Sequence, residues 1–134
     1  MTDRALSYVN TDLDVISASD VTTLAAAFEA GGMVALHVDR REDGLWYGRF
    51  ETEGQFDEPE RNIAAMMAVV EALRGPLLAV WAKCTRREFN IGYECGSQPR
   101  AIEQRLSREL LSRIAAAGGS LGITLYAPDS DGQS

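Results

Sequence analysis

The chain has 134 residues, of which 46% are hydrophobic and 25% charged. That suits one folded domain with its own core and excludes global disorder. A net charge of −7 argues against nucleic acid, whose phosphates call for a basic patch, and against an anionic membrane surface. It fits a cytosolic protein or one that meets a basic partner.

Met1-Thr2-Asp3-Arg4 leads into no long apolar run, so neither a signal peptide nor a spanning segment is expected. A cytoplasmic location follows as the expectation, with reduced cysteines. From Leu6 to Ile16 the chain alternates. Val9, Thr11, Leu13 and Val15 share one side, and Tyr8, Asn10, Asp12 and Asp14 the other, the period of a half-buried strand. Ser17 or Ser19 can cap the helix that follows, with Asp20 in its first turn, Val21, Leu24, Ala27 and Phe28 on one face, and Gly31-Gly32 at its end. Met33 to Asp39 and Leu45 to Thr52 read as a hairpin joined by Arg40-Arg41-Glu42-Asp43-Gly44, with Val34, Leu36 and Val38 on one face and Trp46 and Phe50 on a face of the partner.

Asp57-Glu58-Pro59-Glu60 opens a second helix, Asp57 as cap and Glu60 completing a capping box. Ile63, Met66, Met67, Val70 and Leu73 form its apolar stripe, the methionines as core fillers, and Gly75-Pro76 stops it. Leu77 to Lys83 is a further short helical piece carrying Trp81, followed by a strand from about Arg87 to Glu94. Gly96 to Gln104 reads as a turn at Pro99 or as the start of a helix. Ser107 caps a clearer helix with Leu110, Leu111 and Ile114 on its apolar face, Gly118-Gly119 ends it, and Leu121, Ile123 and Leu125 alternate in a last strand. Pro128 to Ser134 is a polar, frayed tail to a domain covering residues 1–127.

The order β-α-β-β-α-β-α-β predicts an α+β fold: a largely antiparallel five-stranded sheet with helices packed on one face. Its first six elements match the split βαβ, ferredoxin-like arrangement. Three stretches, "YVNTDLDVIS", "CTRREFNIGYECG" and "LLSRIAAAGGSLGITLY", together resemble a group of small bacterial proteins of unknown function. More distantly they resemble an unknown-function domain family built from a strand-helix unit and a closing helix-strand pair. The resemblance spans roughly residues 6 to 126. Some small acidic α+β proteins of this general kind are immunity proteins for bacterial toxins. The resemblance therefore implies a binding role, and it brings no catalytic residues.

Chemical motifs are sparse. Gly118-Gly119-Ser120-Leu121-Gly122 spells G-x-S-x-G, but a nucleophile elbow runs from strand to helix, and here the order is helix to strand. Cys84 and Cys95 are 11 residues apart, and with His37 the only histidine no metal ligand set is expected. Along an extended run those eleven steps span roughly 36 Å at most. A disulfide needs Cα atoms within about 7 Å, so none is expected. Asp12 and Asp14 share a strand face without a calcium-loop pattern. No G-x-G-x-x-G or P-loop opens a helix, so no cofactor is expected.

What remains is a composite surface. If the helices cover Val9, Leu13, Leu36, Val38, Trp46, Phe50, Phe89 and Ile91, the open face collects Tyr8, Asn10, Asp12 and Asp14 from the first strand. His37, Asp39, Tyr47, Arg49 and Glu51 come from the hairpin, Glu88, Asn90 and Glu94 from the segment between the cysteines, and Tyr126 from the last strand. Aromatic rings mixed with charges suit a protein-binding surface for a basic partner. A small-molecule enzyme or sensor using His37 with Asp12, Asp14 or Glu88 is the alternative, and a homodimer through the open face or an edge strand is the third.

Overall fold

The structure is a computed structural model and describes residues 5–128, so residues 129–134 of the expected tail lie outside it. Among the described residues nine elements follow in chain order: β1 (Ser7–Ser17), α1 (Thr22–Ala30), β2 (Met33–Arg40), β3 (Trp46–Thr52), α2 (Pro59–Glu71), α3 (Gly75–Lys83), β4 (Arg86–Glu94), α4 (Arg108–Ala116) and β5 (Ser120–Tyr126). The strands form one sheet in the order β2-β3-β1-β4-β5. The pairs β2/β3, β3/β1 and β1/β4 are antiparallel, and β4/β5 is parallel. The four-strand part is the split βαβ arrangement, with β3 antiparallel between β1 and β2. The α4 crossover adds β5 outside β4, the length of connection a parallel neighbour requires.

The helices lie on one face and close the core over it. Leu13, Val15, Phe50 and Phe89 from the sheet meet Leu24, Phe28, Ile63, Met66, Met67, Trp81, Leu110 and Ile114, all buried. Phe28 stands edge-on to Phe50 at 4.9 Å and to Trp81 at 6.1 Å, tying α1 to the sheet and to α3.

Local chemistry departs from the sequence reading at the helix starts. Neither Ser17 nor Ser19 caps α1; the Asp20 carboxylate accepts from the Thr22 N–H and hydroxyl, both at 2.7 Å. Asp57 does not cap α2 but pairs with Arg61 at 3.0 Å. Glu60 reaches instead to the start of α4, accepting from the Ser107 N–H at 2.8 Å and hydroxyl at 2.7 Å. Ser107 does cap α4, accepting from the Leu110 N–H at 3.0 Å. Gly75-Pro76 begins α3 rather than stopping α2, which ends at Glu71. Arg74 closes the end of α2 by donating to the Glu71 and Leu73 carbonyls at 2.7 and 2.8 Å.

Two β-bulges reset the alternation. In β1 the register shifts between Tyr8 and Asn10, and in β2 between Ala35 and His37. An extra residue in one strand of a pair turns two successive side chains to the same side. Val9 and Leu36 therefore leave the helix side, where alternation had put them, and are 45% and 48% exposed. Tyr8 moves the other way, into the helix layer, where its hydroxyl donates to Asn62 Oδ1 at 2.7 Å.

Candidate functional site

The face of the sheet away from the helices carries rows of side chains set by strand register. Arg49, Asp14 and Glu88 lie opposite one another across β3, β1 and β4. The next row holds Asp12 opposite Asn90. Arg49 donates to both Asp14 oxygens, at 2.8 and 3.3 Å, and approaches Asp12 at 3.9 Å. Asn10 donates to Glu51 at 2.7 Å and more loosely to Asp12 at 3.4 Å.

A depression of about 370 Å³ opens in this face because β3 parts from β1. The β1/β3 ladder ends at Leu13 and Phe50, while β3 stays with β2 as far as Thr52. Asn62 of α2 enters the gap from the helix side and is fully buried. Its Oδ1 accepts from the Thr11 N–H at 3.1 Å and from Tyr8, and its Nδ2 donates to Thr52 Oγ1 at 3.0 Å. Backbone donors left without a strand partner need such a replacement. On the open side the gap is lined by Val9, Asn10, Asp12, Leu36, Glu51, Thr52, Glu53, Asn90 and Tyr126. The Tyr126 ring lies over Gly92, where a Cβ would come within 3.2 Å of a ring carbon. Glu88 lies over Gly122 in the same way, so that a side chain there would displace its carboxylate.

Asp12 sits in the wall of the depression with its side chain 22% exposed. Burial pushes it up to about 6, helped by the nearby Asp14 and Glu51 carboxylates and opposed by Arg49. A second depression of about 580 Å³ lies on the β2/β3 end of the face, lined by Asp14, Leu36, His37, Arg41, Tyr47, Arg49 and Arg86. His37 meets Arg41 at 3.2 Å and Asp39 at 3.1 Å, and Arg41 stacks on Tyr47 at 4.1 Å. The open face is thus acidic around Asp12 and Glu51 and cationic around Arg41, Arg49 and Arg86.

Of the residues expected on this face, Asn10, Asp12, Asn90 and Tyr126 converge on the first depression, and Asp14, His37 and Arg49 on the second. Glu88 lines neither depression and pairs with Arg86 at 3.6 Å. Glu94 is opposite Tyr126 in register and exposed. Tyr8 is not part of the face: it is packed under it, with burial pushing its hydroxyl up to about 12. Val9, Leu36 and Arg86 were missed. Arg86 is visible by counting back from Glu88, whereas the other two depend on bulges that leave no local signal.

Cys84 caps the C-terminus of α3, buried, with its thiol 3.5 Å from the Val80 carbonyl; burial pushes its ionisation up. Cys95 follows β4, and both thiols are free. Among the described residues no three His, Cys, Asp or Glu side chains converge as a metal ion would need. The Gly-rich G-x-S-x-G stretch is the turn from α4 into β5, and Ser120 opens that strand. No helix among the described residues is long and apolar enough to cross a membrane. No protein-family model, curated protein or solved structure matches the chain.

Proposed function

We propose that this protein is a binding module that holds a basic protein partner against its open sheet face, in the manner of an immunity or regulatory protein. The observation that carries the proposal is the Asp12 depression, where a half-buried carboxyl and Glu51 sit among exposed Val9, Leu36 and Tyr126. An arginine or lysine side chain suits such a place, its stem on the apolar rim and its charge on the carboxylates. An incoming cation would also offset the desolvation that raises Asp12. The net charge of −7 steers a basic partner toward encounter. Cys84 and Cys95 are both free thiols, which is compatible with a reducing compartment such as the cytoplasm.

The test is affinity capture from the native cell with the wild type and with the double variant Asp12→Asn, Glu51→Gln, at low and high salt. A specific partner is expected with the wild type at low salt. The purified pair should then show binding about tenfold weaker or more in the double variant. Recovery of no specific partner at either salt, or a partner indifferent to both substitutions, overturns the reading.

A second reading, a small-molecule enzyme or sensor, draws on the same Asp12, since a carboxyl poised near 6 in a depression suits proton transfer. His37 is paired with Asp39 and Arg41 and borders the other depression, so Asp12 rather than His37 would lead that chemistry. A small metabolite that raises the melting temperature of the wild type but not of Asp12→Asn would favour it.

A further inference from the structure

The two edges of the sheet differ in kind. At one edge, β2 carries His37, Asp39 and Arg40 and is bent by the Leu36 bulge. Charges and bulges are the devices that keep an edge strand from pairing with another chain. At the other edge β5 reads Ser-Leu-Gly-Ile-Thr-Leu-Tyr, with no charge, no proline and no bulge. Among the described residues no strand pairs with its outer side. Its apolar residues are in parallel register with the core residues of β4, Leu121 beside Phe89 and Ile123 beside Ile91. The β4 partners are buried, yet Ile123 is 67% and Leu125 64% exposed.

We infer that the outer edge of β5 is a homodimer interface, in which β5 of one copy pairs antiparallel with β5 of a second across a two-fold axis at Ile123. The strand is self-complementary about that residue. Ile123 meets its own copy and Leu121 meets Leu125 on the helix side, while Gly122 meets Thr124 and Ser120 meets Tyr126 on the open side. All seven residues Ser120–Tyr126 find partners, and no like charges face one another in a protein of charge −7. A charged or basic partner would find nothing on this strand to recognise, whereas an identical strand matches it at each position. The exposed parts of the apolar residues and the free backbone edge remove at most on the order of 1,000 Å² in total on pairing, the low end for a specific interface. The dimer is therefore reversible, and it joins two five-stranded sheets into one with both acidic depressions on the same continuous face.

Sedimentation velocity from about 1 to about 300 μM measures this, because a reversible dimer appears with protomer concentration. The wild type is expected to pass from monomer to dimer across that range. Ile123→Lys, which sets two ammonium groups at the axis, should weaken dimerisation at least about tenfold. The melting temperature of the dilute protein should not change, since that side chain is already exposed. With a disulfide oxidant such as oxidised glutathione added to take up the two electrons and two protons, Ile123→Cys should form a disulfide between copies, because directly opposed antiparallel residues lie about 4.5–5.5 Å apart. A monomer at every concentration, or a dimer unmoved by Ile123→Lys, overturns the inference. So does protection from hydrogen exchange, in the dilute monomer, of those β5 amides that point away from β4, which would mean that another part of the same chain covers the edge.

Discussion

At Asp12, burial and the Asp14 and Glu51 carboxylates outweigh the Arg49 guanidinium, and the carboxyl ionises at about 6. In the unfolded chain an aspartate ionises at about 3.9. Between those values the folded state holds the proton that the unfolded state has released. The contribution to stability is therefore complete below about pH 4 and is lost as pH rises through about 6. Asp12→Asn keeps the shape without the charge. It is expected to stabilise the fold by about 1–3 kcal/mol at pH 7.5, a gain that shrinks toward pH 4. Urea unfolding at the two pH values checks this, and an equal effect at both would show that the carboxyl is not strained. The same substitution is expected to weaken partner binding, so stability and function pull in opposite directions at one residue.

Among the elements, two polar side chains hold the layers together. Asn62 of α2 bridges β1 and β3 where their ladder has stopped. Asn62→Ala leaves the Thr11 N–H buried without a partner and is expected to cost about 2–4 kcal/mol, with faster hydrogen exchange at the Thr11 amide. Because Asn62 also holds the strands apart, the variant should shift the NMR signals of Asp12 and Glu51 across the sheet. Arg87 of β4 donates to the Trp81 and Ala82 carbonyls at the end of α3, at 3.1 and 3.0 Å, and to the Gly118 carbonyl after α4, at 2.9 Å. It satisfies acceptors that helix ends leave open. Arg87→Met keeps the stem and loses those bonds, and chemical denaturation should register a loss of about 1–3 kcal/mol.

For the whole molecule, the acidic depression and the β5 edge should answer salt in opposite ways. Docking of a basic partner on Asp12 and Glu51 should weaken as sodium chloride rises, since the attraction is screened over a Debye length of about 10 Å at 0.1 M. Pairing of β5 strands brings two chains of charge −7 together through an uncharged seam, so salt should leave it unchanged or strengthen it. Calorimetry for the partner and sedimentation for the dimer, each at low and high salt, separate the two surfaces. Salt sensitivity of the same sign in both would assign them to one interface.

Much of this was legible from local pattern. Alternation located all five strands, and the Ser107 cap and the helical stripe of Ile63, Met66, Met67 and Val70 located helices, because these signals act between residues close in the chain. The split βαβ order of the first strands follows from short connections and handedness. For the same reason regular β4 was read correctly, with Phe89 and Ile91 toward the core and Glu88 and Asn90 outward. The faces of Tyr8, Val9 and Leu36 were not legible, since a bulge depends on which residue of a distant strand is opposite. Nor was Glu60, whose carboxylate left its own helix start for Ser107, 47 residues away. The depression has the same origin: its acidic residues stand in the sequence, but the parting of β1 from β3, held by Asn62, exists only once the helix layer is packed. Sequence by itself determined the elements, the charge and the side of most strand residues, because those are short-range. Tertiary structure alone decided where the sheet opens, which carboxyl is strained and which edge is left bare, because each depends on long-range pairing and on what the helices do not cover.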